Sequence, residues 1–270
     1  GINEEAVRRL AGEAELLLTV DCGVTAVSEA ALAKELGLRL IITDHHTPPD
    51  TLPVADALIN PMLGGYPFPS LCGAGVAWKL SWALHGLAFA KNQLDIAALA
   101  TIADMVPLLS ENRVIASFGL KGMADTPRLG LRALMKVSGL EEGRPVSADR
   151  VSFGLAPRLN AGGRLSTARD GLDLLLSNRP EEAAELALRL NDINTRRRQE
   201  EAQVIKEARE QMQGMDLLRA NSLVLFGEGW NSGVVGLAAG KLAEQYGLPT
   251  IVLSRDGRKA TGSGRTAGDI

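Results

Sequence analysis

Cysteines and aromatic residues are scarce in this chain of 270 residues, and no long apolar run is present. The two cysteines, Cys22 and Cys72, are too few for a disulfide framework, so the sequence predicts a cytoplasmic protein. Because no apolar run reaches the ~18 residues of a membrane-spanning helix, we expect no role in a membrane. Positive charge is not in excess either, since 29 basic and 32 acidic residues give a net charge of −3. Any binding of nucleic acid must therefore rest on local basic patches.

The composition is that of a folded protein, since hydrophobic residues make up 46% and charged residues 23% of the chain. At about 100–200 residues per domain, the length allows one large domain or two smaller ones. The chain begins at Gly1 rather than at a methionine, and a strand-like stretch stops near Ile270 without a cap. We therefore expect a piece of a longer protein.

Short apolar runs alternate with helical spacing near the start of the chain and indicate a parallel α/β sheet. Residues 16–20 and 38–43 are the two apolar runs, which predict strands buried on both faces. Residues 24–36 between them have helical spacing, and residues 55–60 are predicted to form a third strand. Strand–helix–strand units with short connections favour right-handed crossovers.

The remainder of the chain is predicted to be mostly helical and to end in a second α/β unit. Residues 76–135 have a helical pattern, whereas residues 140–165 are expected to be rich in loops. Residues 181–212 lack glycine and proline and predict a helix of about 48 Å, long enough to connect two lobes. A further strand, helix and strand are predicted at residues 222–226, 233–246 and 250–253.

Polar residues follow the first two predicted strands at the point where each strand ends. Asp21 comes directly after the first strand, and Asp44, His45 and His46 follow the second. Because ligands bind at the carboxyl ends of strands in an open parallel sheet, these side chains are expected to lie beside each other. Carboxylate and imidazole together suit a divalent metal such as manganese. Alternatively, Asp21 and Asp44 cap the following helices, but their common location favours the metal site.

Asp104 is a further candidate ligand, because it ends the apolar run of residues 97–103. A carboxylate at the C-terminal end of a helix faces the negative end of the helix dipole, and a carboxylate among apolar residues needs a partner. A bound cation would satisfy both requirements. The alternative is that Asp104 lies in solvent beyond the last turn.

Two glycine-containing segments carry side chains that suit a phosphate backbone. Arg158, Asn160 and Arg164 lie around Gly162 and Gly163. Glycine lets a backbone approach a phosphate closely, and arginine binds phosphate oxygens through two N–H groups at once. The alternative is a surface loop held by internal salt bridges. The second segment contains Ser263, Arg265 and Thr266.

Three consecutive arginines, Arg196, Arg197 and Arg198, lie in the middle of the long predicted helix. Glu200 and Glu201 follow them closely. Mixed charges of this kind are typical of a solvated helix face, which is the interpretation that the sequence favours.

Taken in order, these motifs resemble a known superfamily. The Asp-His-His motif of residues 44–46, with Asp21 upstream and Asp104 downstream, resembles the DHH phosphoesterases. Residues 157–164 are similar to a segment of the RecJ family of single-strand-specific DNA exonucleases within that superfamily. Two further stretches resemble the DHHA1 domain of the same family, namely residues 233–236 and 262–265.

The resemblance implies an exonuclease that hydrolyses single-stranded DNA from 5′ to 3′ in DNA repair and recombination. Asp21 would bridge two divalent ions, Mn²⁺ or Mg²⁺, and His45 and Asp104 would ligate one of them. Asp44 would orient the histidines, and His46 would contact the scissile phosphate. The two ions would activate a water molecule and stabilise the leaving oxygen in an in-line displacement.

The resemblance also divides the chain and implies its partners. Residues 1–178 would form a DHH phosphoesterase domain truncated at its N-terminus, residues 179–214 a long connecting helix, and residues 215–270 a truncated DHHA1-like domain that binds nucleic acid. Single-stranded DNA is the implied substrate, contacted by His46 and by the two glycine-containing segments. Replication or repair proteins are further implied partners, and a monomer is expected.

The sequence departs from the family pattern in three places. It lacks an aspartate pair before the first strand and a glycine-histidine motif that closes the second domain. Asn231 follows Trp230 where many members have histidine, although asparagine is still a good N-cap. We therefore expect the chain alone to bind single strands weakly and to cleave them poorly. Two other interpretations are a DHH phosphoesterase acting on short oligonucleotides or nucleotides, and a non-catalytic RecJ-like DNA-binding factor.

Overall fold

The computed structural model describes residues 1–268, and Asp269 and Ile270 lie outside the described residues. It has the mixed α/β architecture with parallel strands that the sequence predicts. The helices are α1 (Glu4–Ala11), α2 (Val27–Glu35), α3 (Gly73–Lys91), α4 (Leu94–Ala103), α5 (Ser110–Met123), α6 (Leu129–Val137), α7 (Ala148–Arg150), α8 (Ala156–Leu165), α9 (Arg169–Leu176), α10 (Pro180–Gln211) and α11 (Ser232–Tyr246). The strands are β1 (Leu16–Val20), β2 (Arg39–Thr43), β3 (Ala57–Ile59), β4 (Leu223–Glu228), β5 (Thr250–Asp256) and β6 (Lys259–Arg265).

The packing of the chain separates it into two compact units. The first unit comprises residues 1–127 and 140–156, and the second comprises residues 128–139 and the chain from Pro157 onward. The domains expected from the sequence have their bounds near residues 178 and 214 and so differ from these units. That division into domains stays a prediction.

The first unit contains a parallel sheet with the strand order β1-β2-β3. Thr43 of the central strand β2 pairs with Val20 of β1 and with Ile59 of β3. The expectation that β1 is buried on both faces is wrong, because β1 lies at an edge of the described sheet. Leu16 and Leu18 of β1 are consequently 44% and 46% exposed. The core that α1 and α2 form with this sheet includes Val7, Ala30, Ala33, Leu38, Leu40 and Ile42.

Helices α3 to α6 fill most of the region that was predicted to be helical. Within the first unit, α4 and α5 pack so closely that one contact point admits no side chain. A Cβ atom on Gly119 of α5 would lie 2.2 Å from the Leu94 carbonyl oxygen and 2.3 Å from the Cβ of Ala98. The glycine is therefore required by the distance between the two helices.

Gly119→Ala should lower the free energy of unfolding by about 1–3 kcal/mol, because the two helices must move apart. Gly122→Ala on the same helix is the matched control, since nothing lies within 4 Å of the added Cβ. That change should raise the free energy of unfolding by about 0.5–1 kcal/mol. Urea unfolding followed by circular dichroism measures both variants. Equal stability of the two would contradict the close packing at Gly119.

The segment expected to be rich in loops, residues 140–165, is largely helical. After α7, Val151–Leu155 form a π-helical turn that continues directly into α8. The expectation is wrong because Val151, Leu155 and Ala161 are buried, so packing holds the segment in a helix. Gly162 is a loop signal in sequence, yet it lies within α8, where a Cβ would come within 2.7 Å of the Thr167 carbonyl oxygen.

The second unit contains the predicted long helix, α10, which spans 32 residues. It begins with Pro180, whose fixed φ suits the first position of a helix. The predicted strand, helix and strand are β4, α11 and β5, in which β4 and β5 are parallel, while β6 pairs with β5 in antiparallel fashion. No helix in the described part of the chain, α10 included, is both long and apolar enough to cross a membrane. The core of the unit includes Val204, Ala208, Leu225, Trp230, Leu242 and Val252.

Candidate metal centre and nucleic-acid interface

Asp21 and Asp44 lie in adjacent turns at the carboxyl ends of β1 and β2. The strand pairing continues into both turns, because the Asp21 amide donates to the Thr43 carbonyl and the Asp44 amide to the Ile59 carbonyl, each at 3.0 Å. Asp21 has a left-handed backbone with φ of 62°, which aspartate adopts more readily than most other residues with a side chain. Asp21 does not cap α2, whose N-cap is Ala26 without a side-chain bond. The two strand-end motifs therefore share one edge of the sheet.

The carboxylate of Asp44 joins the two turns and is only 1% exposed. Its Oδ2 accepts from the Val24 amide at 2.9 Å, and its Oδ1 accepts from the His45 amide at 2.8 Å. Oδ1 also lies 2.7 Å from Nδ1 of the His46 ring. Burial by itself would raise the pKa of Asp44, but the hydrogen bonds, led by that from Val24, outweigh it and hold the pKa below its ordinary value. The bond to Asp44 in turn raises the pKa of His46.

His45 places a ring nitrogen beside two carboxylates. Its Nε2 lies 3.1 Å from Oδ1 of Asp21 and 3.6 Å from Oδ2 of Asp104, which directly follows α4. Neighbouring ligands of an octahedral ion with bonds of about 2.1 Å are about 3 Å apart, so Nε2 of His45 can share a divalent ion with the carboxylate of Asp21 or with that of Asp104. Among the described residues, the set of ligand atoms that all lie within 4.8 Å of one another comes from Asp21, His45 and His46, and Asp104 is not part of it. Burial raises the pKa of Asp104, and a bound cation would offset that effect.

In the second unit, the first turn of α11 packs against the end of α8. A Cβ on Gly233 would lie 2.3 Å from the Arg164 carbonyl oxygen. The Arg164 guanidinium donates to the Gly233 carbonyl at 3.3 Å. Asn231 caps α11, as its residue type predicts, and its side chain accepts from the Gly233 amide at 2.9 Å.

The same helix contacts β6 one turn further on. A Cβ on Gly236 of α11 would lie 3.3 Å from Oγ of Ser263 and 3.5 Å from the guanidinium of Arg265. The structure thus brings Arg164, Ser263 and Arg265 to the first turns of one helix. A helix N-terminus with nearby arginines is a suitable place for a phosphate group.

Comparison with known proteins gives a consistent result. Residues 2–104 match the model of the DHH family, N-terminal domain. The chain is 45% identical to the single-stranded-DNA-specific exonuclease RecJ of Bacillus subtilis, over 98% of this chain and 34% of that protein. A crystal structure of exonuclease RecJ bound to manganese matches all of this chain and 68% of its own, with a TM-score of 0.87 and 34% identity. The chain belongs to the RecJ family.

A second RecJ structure, from Thermus thermophilus in complex with Mn²⁺, has a TM-score of 0.86 and 32% identity over all of this chain and 40% of that chain. The RecJ of Haemophilus influenzae is 40% identical over 90% of this chain and 45% of that protein. The chain therefore spans about a third to a half of the length of the curated relatives it matches. Membership of the RecJ family confirms the resemblance that the sequence motifs carried.

Two residues near the candidate metal centre were not predicted from the sequence, Gly73 and Asn60. Gly73 opens α3, and a Cβ there would lie 2.2 Å from Oδ1 of Asp21. Asn60 is buried and donates from its side chain to the His46 carbonyl at 2.9 Å, while accepting from the Met62 amide at 2.9 Å. Asn60 follows β3, so the strand-end argument could have found it. Gly73 carries no such signal, because its importance lies in a contact with a distant part of the sequence.

The other predicted nucleic-acid contacts have different surroundings. Arg158 donates to the Asn191 side chain at 3.0 Å and to the Val137 carbonyl at 3.4 Å. Burial lowers the pKa of Arg158, and its two hydrogen bonds give this guanidinium a structural use within the second unit. Asn160 is exposed on α8, and Thr266 is exposed just beyond β6. The role of these three residues in DNA binding stays a prediction.

Proposed function

We propose that this chain forms the catalytic core of a metal-dependent exonuclease that hydrolyses single-stranded DNA from 5′ to 3′, in DNA repair and recombination. The observation that carries the proposal is the position of the His45 Nε2, 3.1 Å from Asp21 and 3.6 Å from Asp104 in a RecJ-family fold. The names of the relatives supply the substrate class, since they are exonucleases specific for single-stranded DNA.

Asp21, His45 and Asp104 are proposed to hold a divalent ion, Mn²⁺ or Mg²⁺, with Asp21 shared with a second ion in a protein of the relatives' length. The donor set of two carboxylates and one imidazole suits these ions, and related structures contain manganese or magnesium. When bound, such a pair activates a water molecule and stabilises the leaving oxygen of an in-line displacement.

Asp44 and His46 are proposed to act on the substrate as a pair. Because Oδ1 of Asp44 lies 2.7 Å from Nδ1 of His46, the ring is fixed with its Nε2 edge turned away from that carboxylate. The Nε2 edge can then face an oxygen of the scissile phosphate. Asn60 supports this arrangement by its hydrogen bond to the backbone carbonyl of His46.

Strand binding is assigned to the second unit. Arg164, Ser263 and Arg265 around the first turns of α11 are proposed to hold phosphate groups of the strand. Arg158, Asn160 and Thr266 are further candidates, of which Asn160 and Thr266 are exposed. The expected division into a DHH domain, a connecting helix and a DHHA1-like domain at residues 178 and 214 is part of the same proposal.

A cytoplasmic monomer that meets replication or repair proteins is the proposed setting. Cys22 and Cys72 form no disulfide, which supports a reducing compartment.

A chimera tests the proposed activity. In it, this chain replaces the matching segment of the Bacillus subtilis RecJ, to which it is 45% identical. With Mn²⁺, the chimera should shorten a 5′-labelled single strand and leave the matched duplex intact, and EDTA should stop the reaction. The chain alone should cleave the strand poorly. A chimera that hydrolyses only dinucleotides would indicate a phosphoesterase with a different substrate. A chimera that folds but hydrolyses no substrate would contradict the proposal.

A further inference from the structure

The second unit has a groove along α10 and α11 that is lined by five basic side chains. It encloses about 500 Å³, and we refer to it as the α10 groove. Its basic residues are Arg197, Arg198, Lys206, Arg209 and Lys241. Only two acidic residues line it, Glu201 and Glu210. In a chain with a net charge of −3, this is a local concentration of positive charge.

The wall of the α10 groove is fixed by a buried carboxylate. Glu201 has a side chain only 4% exposed and pairs with Arg197 at 2.9 Å and with Lys241 at 2.6 Å. Arg197 also donates to the Asn194 side chain at 3.1 Å. Glu201 offsets part of the charge of these two cations, and the five basic and two acidic side chains of the lining leave a formal excess of three positive charges.

Two cations of the α10 groove are left for a ligand. Arg198 and Lys206 are exposed, and neither makes a hydrogen bond or ion pair with a described residue. Arg209, in contrast, donates to the Gln245 side chain at 2.7 Å. Arg198 and Lys206 are eight residues apart on α10, which corresponds to about 12 Å along the helix axis.

The charge of Arg198 also acts on two partly buried arginines, Arg158 and Arg197. Burial lowers the pKa of Arg197, and the nearby charges of Arg164 and Arg198 lower it further, against the effect of Glu201. The charge of Arg198 acts in the same direction on Arg158. Like charges raise the free energy of the protein, and a bound anion would offset that cost at Arg198, which has no carboxylate partner of its own among the described residues. The interpretation of residues 196–198 as a solvated helix face is therefore wrong for Arg197, whose side chain is only 12% exposed.

We propose that the α10 groove is a second phosphate-binding stretch for single-stranded DNA, which extends from Arg164 along α10 and uses Arg198 and Lys206 as its contacts. This proposal rests on the proposed function, because it takes the same strand as ligand. The distance between Arg198 and Lys206, about 12 Å, exceeds the roughly 3.4 Å per nucleotide of a duplex strand, so the two side chains contact different phosphates.

A single strand suits the groove better than an acidic peptide does. Arg198 and Arg164, which is already assigned to the strand, both lower the pKa of Arg197. Of the ten residues that line the groove, only Ala202 and Ile205 have apolar side chains. The phosphates of a single strand and the unpaired cations Arg198 and Lys206 are complementary in charge.

The test compares a double variant of the α10 groove with a matched control. Arg198→Gln combined with Lys206→Gln removes both contacts, whereas Arg196→Gln removes one exposed charge of the same helix that does not line the groove. Fluorescence anisotropy measures binding of this chain to labelled single strands of about 4 and about 16 nucleotides at several salt concentrations. All variants change exposed side chains and should keep the melting temperature of the parent chain.

The double variant should bind the longer strand about tenfold more weakly, and its salt slope should fall by about 1.4 for two lost contacts. Its affinity for the shorter strand should stay within about twofold, since the short strand is held near Arg164. Arg164→Ala should weaken both strands, whatever their sequence, and Arg196→Gln should weaken neither.

Unchanged affinity of the double variant for the longer strand would overturn the proposal. The proposal would also be overturned if the double variant lost affinity for oligoglutamate but kept its affinity for both single strands. That result would assign the groove to an acidic protein partner. If the parent chain bound no single strand at all, the proposed function would fail together with this proposal.

Discussion

Asp21→Ala should abolish binding of Mn²⁺ by this chain and lower single-strand hydrolysis by the chimera at least about a thousandfold. Asp21 supplies the carboxylate nearest to His45, with 3.1 Å between Oδ1 and Nε2. Its removal takes away several kcal/mol of the charge stabilisation that a bound ion provides. Isothermal titration with Mn²⁺ and release of labelled nucleotide measure the two effects.

Asp50→Ala is the matched control for this change. Asp50 is an exposed aspartate of the same unit, and its removal should leave both Mn²⁺ affinity and hydrolysis unchanged. Binding of single-stranded DNA by the Asp21 variant should also persist, because arginine–phosphate contacts elsewhere supply it. If the Asp21 variant retained turnover within tenfold of the parent, the assignment of Asp21 as a metal ligand would be contradicted.

Gly73→Ala should weaken Mn²⁺ binding about 10–100-fold, although residue 73 offers no ligand atom. The added Cβ would lie 2.2 Å from Oδ1 of Asp21 and 2.6 Å from its Cβ. A different rotamer cannot relieve the contact with Cβ, so the whole Asp21 turn has to shift. Titration with Mn²⁺ measures the loss, and circular dichroism verifies that α3 still forms.

Gly75→Ala provides the comparison for Gly73→Ala on the same turn of α3. Its added Cβ would approach Leu71 no closer than 3.4 Å, which is an ordinary contact. We expect Gly75→Ala to keep the Mn²⁺ affinity of the parent within about twofold. An equal loss of Mn²⁺ affinity in the two variants would contradict this explanation. It would mean that any added side chain in the first turn of α3 lowers the affinity, whether or not it contacts Asp21.

The candidate metal centre could be predicted from the sequence because its parts are local. An apolar run ends at Val20 and another at Thr43, and the polar residues that follow must meet if the strands are adjacent and parallel. Asp104 was recognisable by the conflict between its charge and its apolar surroundings. Each of these signals lies within a few residues of the side chain concerned.

What could not be predicted depends on contacts between distant parts of the chain. The exposure of β1 follows from its place at an edge of the described sheet, which its own apolar sequence cannot show. The glycines at 162 and 163 predicted a loop, but the close approach of the Thr167 carbonyl explains Gly162 within a helix. Arg158 has partners at Asn191 and Val137, which no local pattern indicates.

The most direct test of the metal centre is the anomalous diffraction of a crystal of this chain soaked in Mn²⁺. Our account predicts a peak at bonding distance from Oδ1 of Asp21, Nε2 of His45 and Oδ2 of Asp104. His46 should stay hydrogen-bonded to Asp44 and should not bind the ion. Without manganese at this edge of the sheet under saturating conditions, or with an ion held by His46 in place of His45, the assignment of the metal ligands would be contradicted.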